Sequence, residues 1–150
     1  MIFLTLFICF MLTILLTPLI KKLAIRIGAV DKPNQRKVHM KVMPRLGGLA
    51  IYISFIAGVL LLQPDNPHSL PILLGSLIIV LTGIIDDIRE LSPRVKLMGQ
   101  LAAALVVVLS GIHVEFINLP FGGQLEFGIF SIPLTILWIV GVTNAINLID

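Results

Sequence analysis

Two adjacent carboxylates, Asp86 and Asp87, stand where a long apolar run ends, inside the stretch Gly83 to Lys96, GIIDDIRELSPRVK. If residues 70–85 form a helix, the pair lies at its C-terminus, where the macrodipole is already negative and anions are disfavoured. A cation is therefore expected beside them, and Arg89, Arg94 and Lys96 supply part of that charge. Ser92-Pro93 reads as an N-cap followed by proline at the first helical position, so a second helix begins here. Its free N–H groups, together with Arg94 and Lys96, make a site for a phosphate. One short connection thus offers a carboxylate pair for a divalent cation and a basic helix start for an anion. That combination is half of a site for phosphate chemistry at a membrane surface.

Two further stretches carry candidate residues. Pro44-Arg45-Leu46-Gly47-Gly48 precedes another apolar run. Paired glycines there weaken a helix by about 1 kcal/mol each relative to alanine but admit a neighbouring backbone or a ligand, so helix packing and substrate contact both stay open. At the far end of the chain, Asn144 and Asn147 are three residues apart, as are Asn147 and Asp150, so each consecutive pair shares a neighbourhood on a helix. Polar side chains at that depth are costly unless they face a cavity or a partner, which leaves interhelical hydrogen bonding or the wall of a site. His39 reads as an ordinary loop histidine or a minor substrate contact.

The elements that must position these residues are apolar to a degree no soluble domain of this length could carry on its surface. The 150 residues are 57% hydrophobic and 13% charged, with a mean hydropathy of +1.07. The runs Ile2 to Ile20, Leu46 to Leu62, Leu70 to Ile85, Leu97 to Ile112 and Ile129 to Ile149 contain no Lys, Arg, Asp or Glu. A spanning helix needs about 20 apolar residues, so the third run must borrow from its flanks. The expectation is an all-α polytopic membrane protein of about five transmembrane helices, forming a single transmembrane domain over residues 1–150.

Basic residues orient it. Eight of the 11 lie in the first connection (Lys21, Lys22, Arg26, Lys32, Arg36, Lys37, Lys41 and Arg45), and Arg89, Arg94 and Lys96 lie in the third. The positive-inside rule puts these connections in the cytoplasm and the N-terminus outside a plasma membrane. The net charge of +3 is accordingly a topology signal, with no case for nucleic acid. No basic residue precedes the first run and Lys21-Lys22 follows it, the polarity of a retained helix rather than a signal peptide. The first helix extends past the interface and snorkels Lys21, Lys22 and Arg26 toward anionic lipid headgroups, and Asp31-Lys32-Pro33-Asn34 then reads as a turn. The segment around Gly122-Gly123 alternates apolar and polar residues and reads as a small extracytoplasmic β-hairpin, with Glu115 and Glu126 lacking a partner in sequence. Cys9, the single cysteine, reads as a small apolar side chain.

Three motifs fall on the cytoplasmic side in this topology: DKPNQRKVHMKVMPRLGG at 31–48, DDIRELSPRVKLMGQ at 86–100 and NAINLID at 144–150. Together they resemble the polyprenyl-phosphate N-acetylhexosamine-1-phosphate transferase family, and the resemblance covers the chain from residue 17 onward. Members are considerably longer, so these residues correspond to the N-terminal half of a multi-helix enzyme. The resemblance implies transfer of a sugar-1-phosphate, GlcNAc-1-phosphate in the branch that PRLGG and ELSPRVKL favour, from a UDP-N-acetylhexosamine to undecaprenyl phosphate in the membrane lipid, with release of UMP. The alternatives are phospho-MurNAc-pentapeptide transfer in the peptidoglycan branch and a non-catalytic scaffold or transporter half.

It further implies Mg²⁺, with Mn²⁺ as the substitute, near Asp86, Asp87 and Asp150. Arg45, Gly47, Gly48, Arg94, Lys96 and His39 would contact substrate, Asn144 and Asn147 the nucleotide, and the protein would form a homodimer. Adjacent residues on a helix point about 100° apart, so one metal ion cannot take both Asp86 and Asp87 directly unless the helix unwinds.

Overall fold

The computed structural model describes residues 1–31, 43–62, 65–120 and 122–149. Among them the apolar runs become five helices: α1 (Ile2–Ile27), α2 (Gly47–Leu62), α3 (Ser69–Arg89), α4 (Pro93–Leu109) and α5 (Ser131–Ile149). A helix satisfies its own backbone, which is what a hydrocarbon environment requires. Ile2–Ile27, Ser69–Arg89 and Gly128–Leu148 are long and apolar enough to cross a membrane, while α2 and α4 have 16 and 17 residues. The chain is an all-α membrane protein. As expected, the third run borrows from its flanks, gaining Ser69 and the turn through Arg89.

α1 also runs past its apolar segment to Ile27, carrying Lys21, Lys22 and Arg26 with it. Gly28 stops it by turning left-handed (φ 79°, ψ 12°), and the next N–H, of Ala29, donates to the Ala24 carbonyl at 2.9 Å. A strand pair that the sequence does not announce follows: β1 (Val30–Asp31) runs antiparallel to β2 (Met43–Pro44), and Arg45 N–H donates to the Ala29 carbonyl at 3.1 Å. Asp31 therefore belongs to a strand, and the rest of the turn expected over residues 31–34 lies outside the described residues. Residues 32–42, with His39 and four of the basic side chains, lie outside the described residues, as does Asp150.

The chain divides into two compact units. The first comprises residues 1–66 and 80–91. Its core is small: Ile20, Ala24, Ala29, Leu46 and Ala50, with Leu16, Leu49 and Ile84 packed against them. Alanines let helix backbones approach closely where lipid offers no hydrophobic drive for association. α1 and α2 use the same device farther along, where a Cβ on Gly58 would come within 2.7 Å of Cys9 Sγ. The hydroxyls of Thr13, Thr17 and Ser54 bond back to carbonyls four residues earlier, which satisfies them within their own helices.

The second unit comprises residues 67–79 and 92–150. Here α3 meets α4 at Gly75, where an added Cβ would lie 2.7 Å from Val107 Cγ2 and 3.3 Å from the Ala103 carbonyl. Valine is stiff in a helix and the carbonyl is backbone, so neither gives way cheaply. Gly75→Ala should therefore lower the melting temperature in detergent, an overpacking cost of about 1–3 kcal/mol outweighing the better helix propensity. Gly75→Ala made together with Val107→Ala should recover it.

α4 and α5 are antiparallel neighbours, tied at both ends. Gln100 near the start of α4 bonds Asn144 near the end of α5. Beyond the other end of α4, Val114 N–H donates to Thr135 Oγ1 at 2.8 Å and Ser131 Oγ donates to the Val114 carbonyl at 2.6 Å. Between them lies the expected hairpin, β3 (Phe116–Asn118) antiparallel to β4 (Gln124–Glu126), its reversal made by Gly122 and Gly123 with φ of 94° and 92°. Glu115 has a neighbour that the sequence reading missed, His113, whose Nε2 lies 3.7 Å from Oε1.

Candidate active site

The last turn of α3 places the carboxylate pair. Asp86 and Asp87 are both half-buried and both still helical, so they project about 100° apart. Arg89 lies in the same last turn, where a cation offsets the negative end of the dipole.

The helix then ends in an unusual way. Glu90 takes the left-handed conformation (φ 49°) that glycine normally fills, at a cost of about 1–2 kcal/mol for an L-residue. Glu90 N–H donates to the Asp86 carbonyl at 2.8 Å. The next N–H, of Leu91, donates to Asp86 Oδ1 at 3.0 Å, so the side chain takes the bond that a carbonyl would accept in a Schellman end. Asp86 thus shapes the exit from α3 as well as carrying charge. Sequence reasoning missed this because glycine is the usual signal for such an exit, and here it is absent.

Ile84, two residues before Asp86, packs on the cluster that contains Leu46 and Ala50. The end of α3 and the start of α2 therefore lie at one end of the first unit, and the acids share it with Arg45, Gly47 and Gly48. Arg45 is exposed. A Cβ at Gly47 or Gly48 would meet nothing within 4 Å among the described residues, so no close contact among those residues depends on either glycine. Gly47 instead borders a crevice of about 100 Å³ with Thr17, Ile20, Lys21, Ala24, Leu46 and Ala50, apolar apart from the Lys21 amine and the Thr17 hydroxyl.

The second unit holds the remaining candidates. Ser92 is extended (φ −63°, ψ 148°) and Pro93 opens α4, as the sequence implies, although the Ser92 hydroxyl makes no capping bond. Arg94 is exposed and Lys96 half-buried in the first turn, beside the N–H groups that suit a phosphate. Asn147 is exposed and makes no side-chain hydrogen bond among the described residues, whereas Asn144 is engaged with Gln100 and the Val140 carbonyl. Gln100 is a functional candidate that the sequence did not single out; 44 residues separate it from its partner. A different cavity, of about 360 Å³ beside the hairpin, is lined by His113, Glu115, Phe116, Glu126, Gly128 and Ser131, past the opposite end of α4 from Arg94 and Lys96. It contains none of the candidate residues.

Among the described residues no three of His, Cys, Asp and Glu converge as metal ligands. That donor set still suits Mg²⁺, which takes one or two protein carboxylates and completes its shell with water and substrate phosphate.

Residues 69–150, more than half of the chain, match the model of glycosyl transferase family 4. The chain belongs to that family. It is 49% identical over 147 residues, 96% of its length, to a Bacillus subtilis (strain 168) protein described as a probable undecaprenyl-phosphate N-acetylglucosaminyl 1-phosphate transferase. It is 35% identical over 93% of its length to the decaprenyl-phosphate N-acetylglucosaminephosphotransferase of Mycolicibacterium smegmatis (strain ATCC 700084 / mc(2)155). To the undecaprenyl-phosphate alpha-N-acetylglucosaminyl 1-phosphate transferase of Salmonella typhi it is 33% identical over 94%. It spans 41%, 37% and 39% of these relatives, in that order. No solved structure matches it. The family 4 match begins with α3 and so takes in the acid pair, the start of α4 and the Asn144–Asn147 turn, but not PRLGG.

Proposed function

We propose that the protein transfers GlcNAc-1-phosphate from UDP-GlcNAc to undecaprenyl phosphate, releasing UMP, at the membrane step that opens synthesis of a cell-wall glycopolymer such as teichoic acid or O-antigen. The observation that carries this reading is the packing of Ile84 against the Leu46–Ala50 cluster, which gathers Asp86, Asp87, Arg45 and Gly47 at one end of one unit. The relatives' names supply the lipid acceptor and the sugar phosphate.

In this reaction a phosphate oxygen of the lipid attacks the β-phosphorus of the nucleotide sugar. The bond from that phosphorus to the bridging oxygen breaks, and UMP leaves with the electron pair. There is little covalent chemistry for a protein to do, so positioning and electrostatics supply most of the rate. Bound Mg²⁺ would neutralise charge on the pyrophosphate. Asp87, with Asp86 and Asp150, would hold the ion or keep the lipid phosphate deprotonated, Arg45, Arg94 and Lys96 would take phosphate oxygens, and Asn147 the nucleotide. The acids, Arg45 and the first turn of α4 would face the cytoplasm, where the sugar nucleotide is made. His39 would be a lesser contact, Gly48 would leave the start of α2 open, and a homodimer would be the functional assembly.

A transporter half needs broken helices or charges near the bilayer midplane. The described helices instead keep their Asp, Glu, Lys and Arg near the ends, which favours chemistry at a surface. Membranes carrying the full-length protein, given Mg²⁺, UDP-GlcNAc and undecaprenyl phosphate, should release UMP in proportion to lipid-linked GlcNAc. Solute uptake into vesicles with no UMP formed would overturn the reading.

A further inference from the structure

We infer that Gln100 is a positioning residue for this transfer: with Asn144 it forms an amide clamp between α4 and α5 that fixes Lys96 and Asn147 at one end of the helix pair. The inference rests on the function proposed above, although the clamp itself is a matter of geometry alone. Gln100 Nε2 donates to Asn144 Oδ1 at 3.2 Å, and Asn144 Nδ2 donates back to Gln100 Oε1 at 2.6 Å. The second Nδ2 hydrogen goes to the Val140 carbonyl at 2.9 Å. Both donors of Asn144 are therefore spent, and only one lone pair on Oδ1 remains. Asn144 is held by the protein and has no N–H left for a nucleotide.

Gln100 is 2% exposed, so its amide has no water to fall back on. An unpaired amide in such a place is costly, whereas replacing both partners by apolar groups of similar shape is nearly neutral. The pair consequently dictates a single rotation of each helix about its axis. Lys96 lies one turn before Gln100 on α4, and Asn147 nearly one turn after Asn144 on α5. Because the helices are antiparallel, both residues lie beyond the clamp at the same end, about one helix spacing of 8–10 Å apart. That places a phosphate-binding cation and a free amide where one nucleotide sugar could meet both. If the clamp lets go, either helix can turn and the two contacts lose their common register.

The test is a cycle of Gln100→Leu, Asn144→Leu and the double variant, with the exchanged pair Gln100→Asn plus Asn144→Gln. Each is purified full-length and read by melting temperature in detergent and by UMP-release kinetics. Each single leucine should lower the melting temperature and raise KM for UDP-GlcNAc about tenfold, as a misplacement of about 1 Å is enough to do. KM for undecaprenyl phosphate should stay within about twofold. The double leucine variant should regain the melting temperature but not the donor KM, and the exchanged pair should restore both. Donor KM returning with stability in the double leucine variant would reduce the pair to packing and overturn the proposal. So would additive losses of melting temperature, since they would mean that the amides do not depend on each other. A wild-type protein that forms no UMP would instead defeat the proposed function, and the stability cycle would still decide the clamp.

Discussion

Asp87→Asn should cut UMP release about 10³-fold, the effect of removing several kcal/mol of charge stabilisation at a metal or phosphate. The substitution keeps side-chain shape and removes only charge, and Asp87 lies in the last turn of a helix whose end is organised by its neighbour. The size of the effect follows from the mechanism. A transfer between two anions depends on the electrostatic field at the reacting phosphorus, and a carboxylate that organises that field cannot be replaced by an amide. Steady-state UMP release by membranes normalised for protein content checks it, and raising Mg²⁺ tenfold or so should recover only part of the loss.

Asp86 should separate into two roles. Asp86→Asn keeps an oxygen that can accept from Leu91 N–H, so the exit from α3 should survive while activity falls about 10²-fold with the lost charge. Asp86→Ala removes the acceptor as well. With Glu90 already left-handed at that exit, the alanine variant should lose about 1 kcal/mol, a drop of about 2–4 °C in melting temperature, in addition to the activity. Equal melting temperatures for the asparagine and alanine variants would show that the Leu91 bond contributes nothing.

The helices were legible because five runs free of charge are visible to any hydropathy argument, and the hairpin because Gly122-Gly123 sits between short alternating segments. Ser92-Pro93 gave the start of α4 to the residue. What escaped had no local sign. The pairing of Val30–Asp31 with Met43–Pro44 involves two residues a side, too few for a period-2 pattern, and is selected by how α1 ends at Gly28. Glu90 gives no hint of a left-handed residue, because its geometry is imposed by the two bonds to Asp86. The depth of Asn144 leaves a helix contact and the wall of a site both open, and only the resemblance makes it a nucleotide contact. The choice between them depends on Gln100, which one helix brings to face another, and sequence spacing on α5 carries no information about α4. The acids and PRLGG were joined only by resemblance and by charge counting until Ile84 supplied a physical link.

That link is the most exposed part of the account, and labelling can judge it directly. In a Cys9→Ala background, single cysteines at Arg45→Cys, Glu90→Cys and Asp65→Cys are treated with a membrane-impermeant maleimide, first in intact cells and then after permeabilisation. Positions 45 and 90 should both stay unreactive until the membrane is opened, while position 65, between α2 and α3, reacts at once. Reaction of 45 and 90 from opposite faces would mean that the acid pair and the PRLGG segment never share an aqueous surface, and no common phosphate site could be built from them.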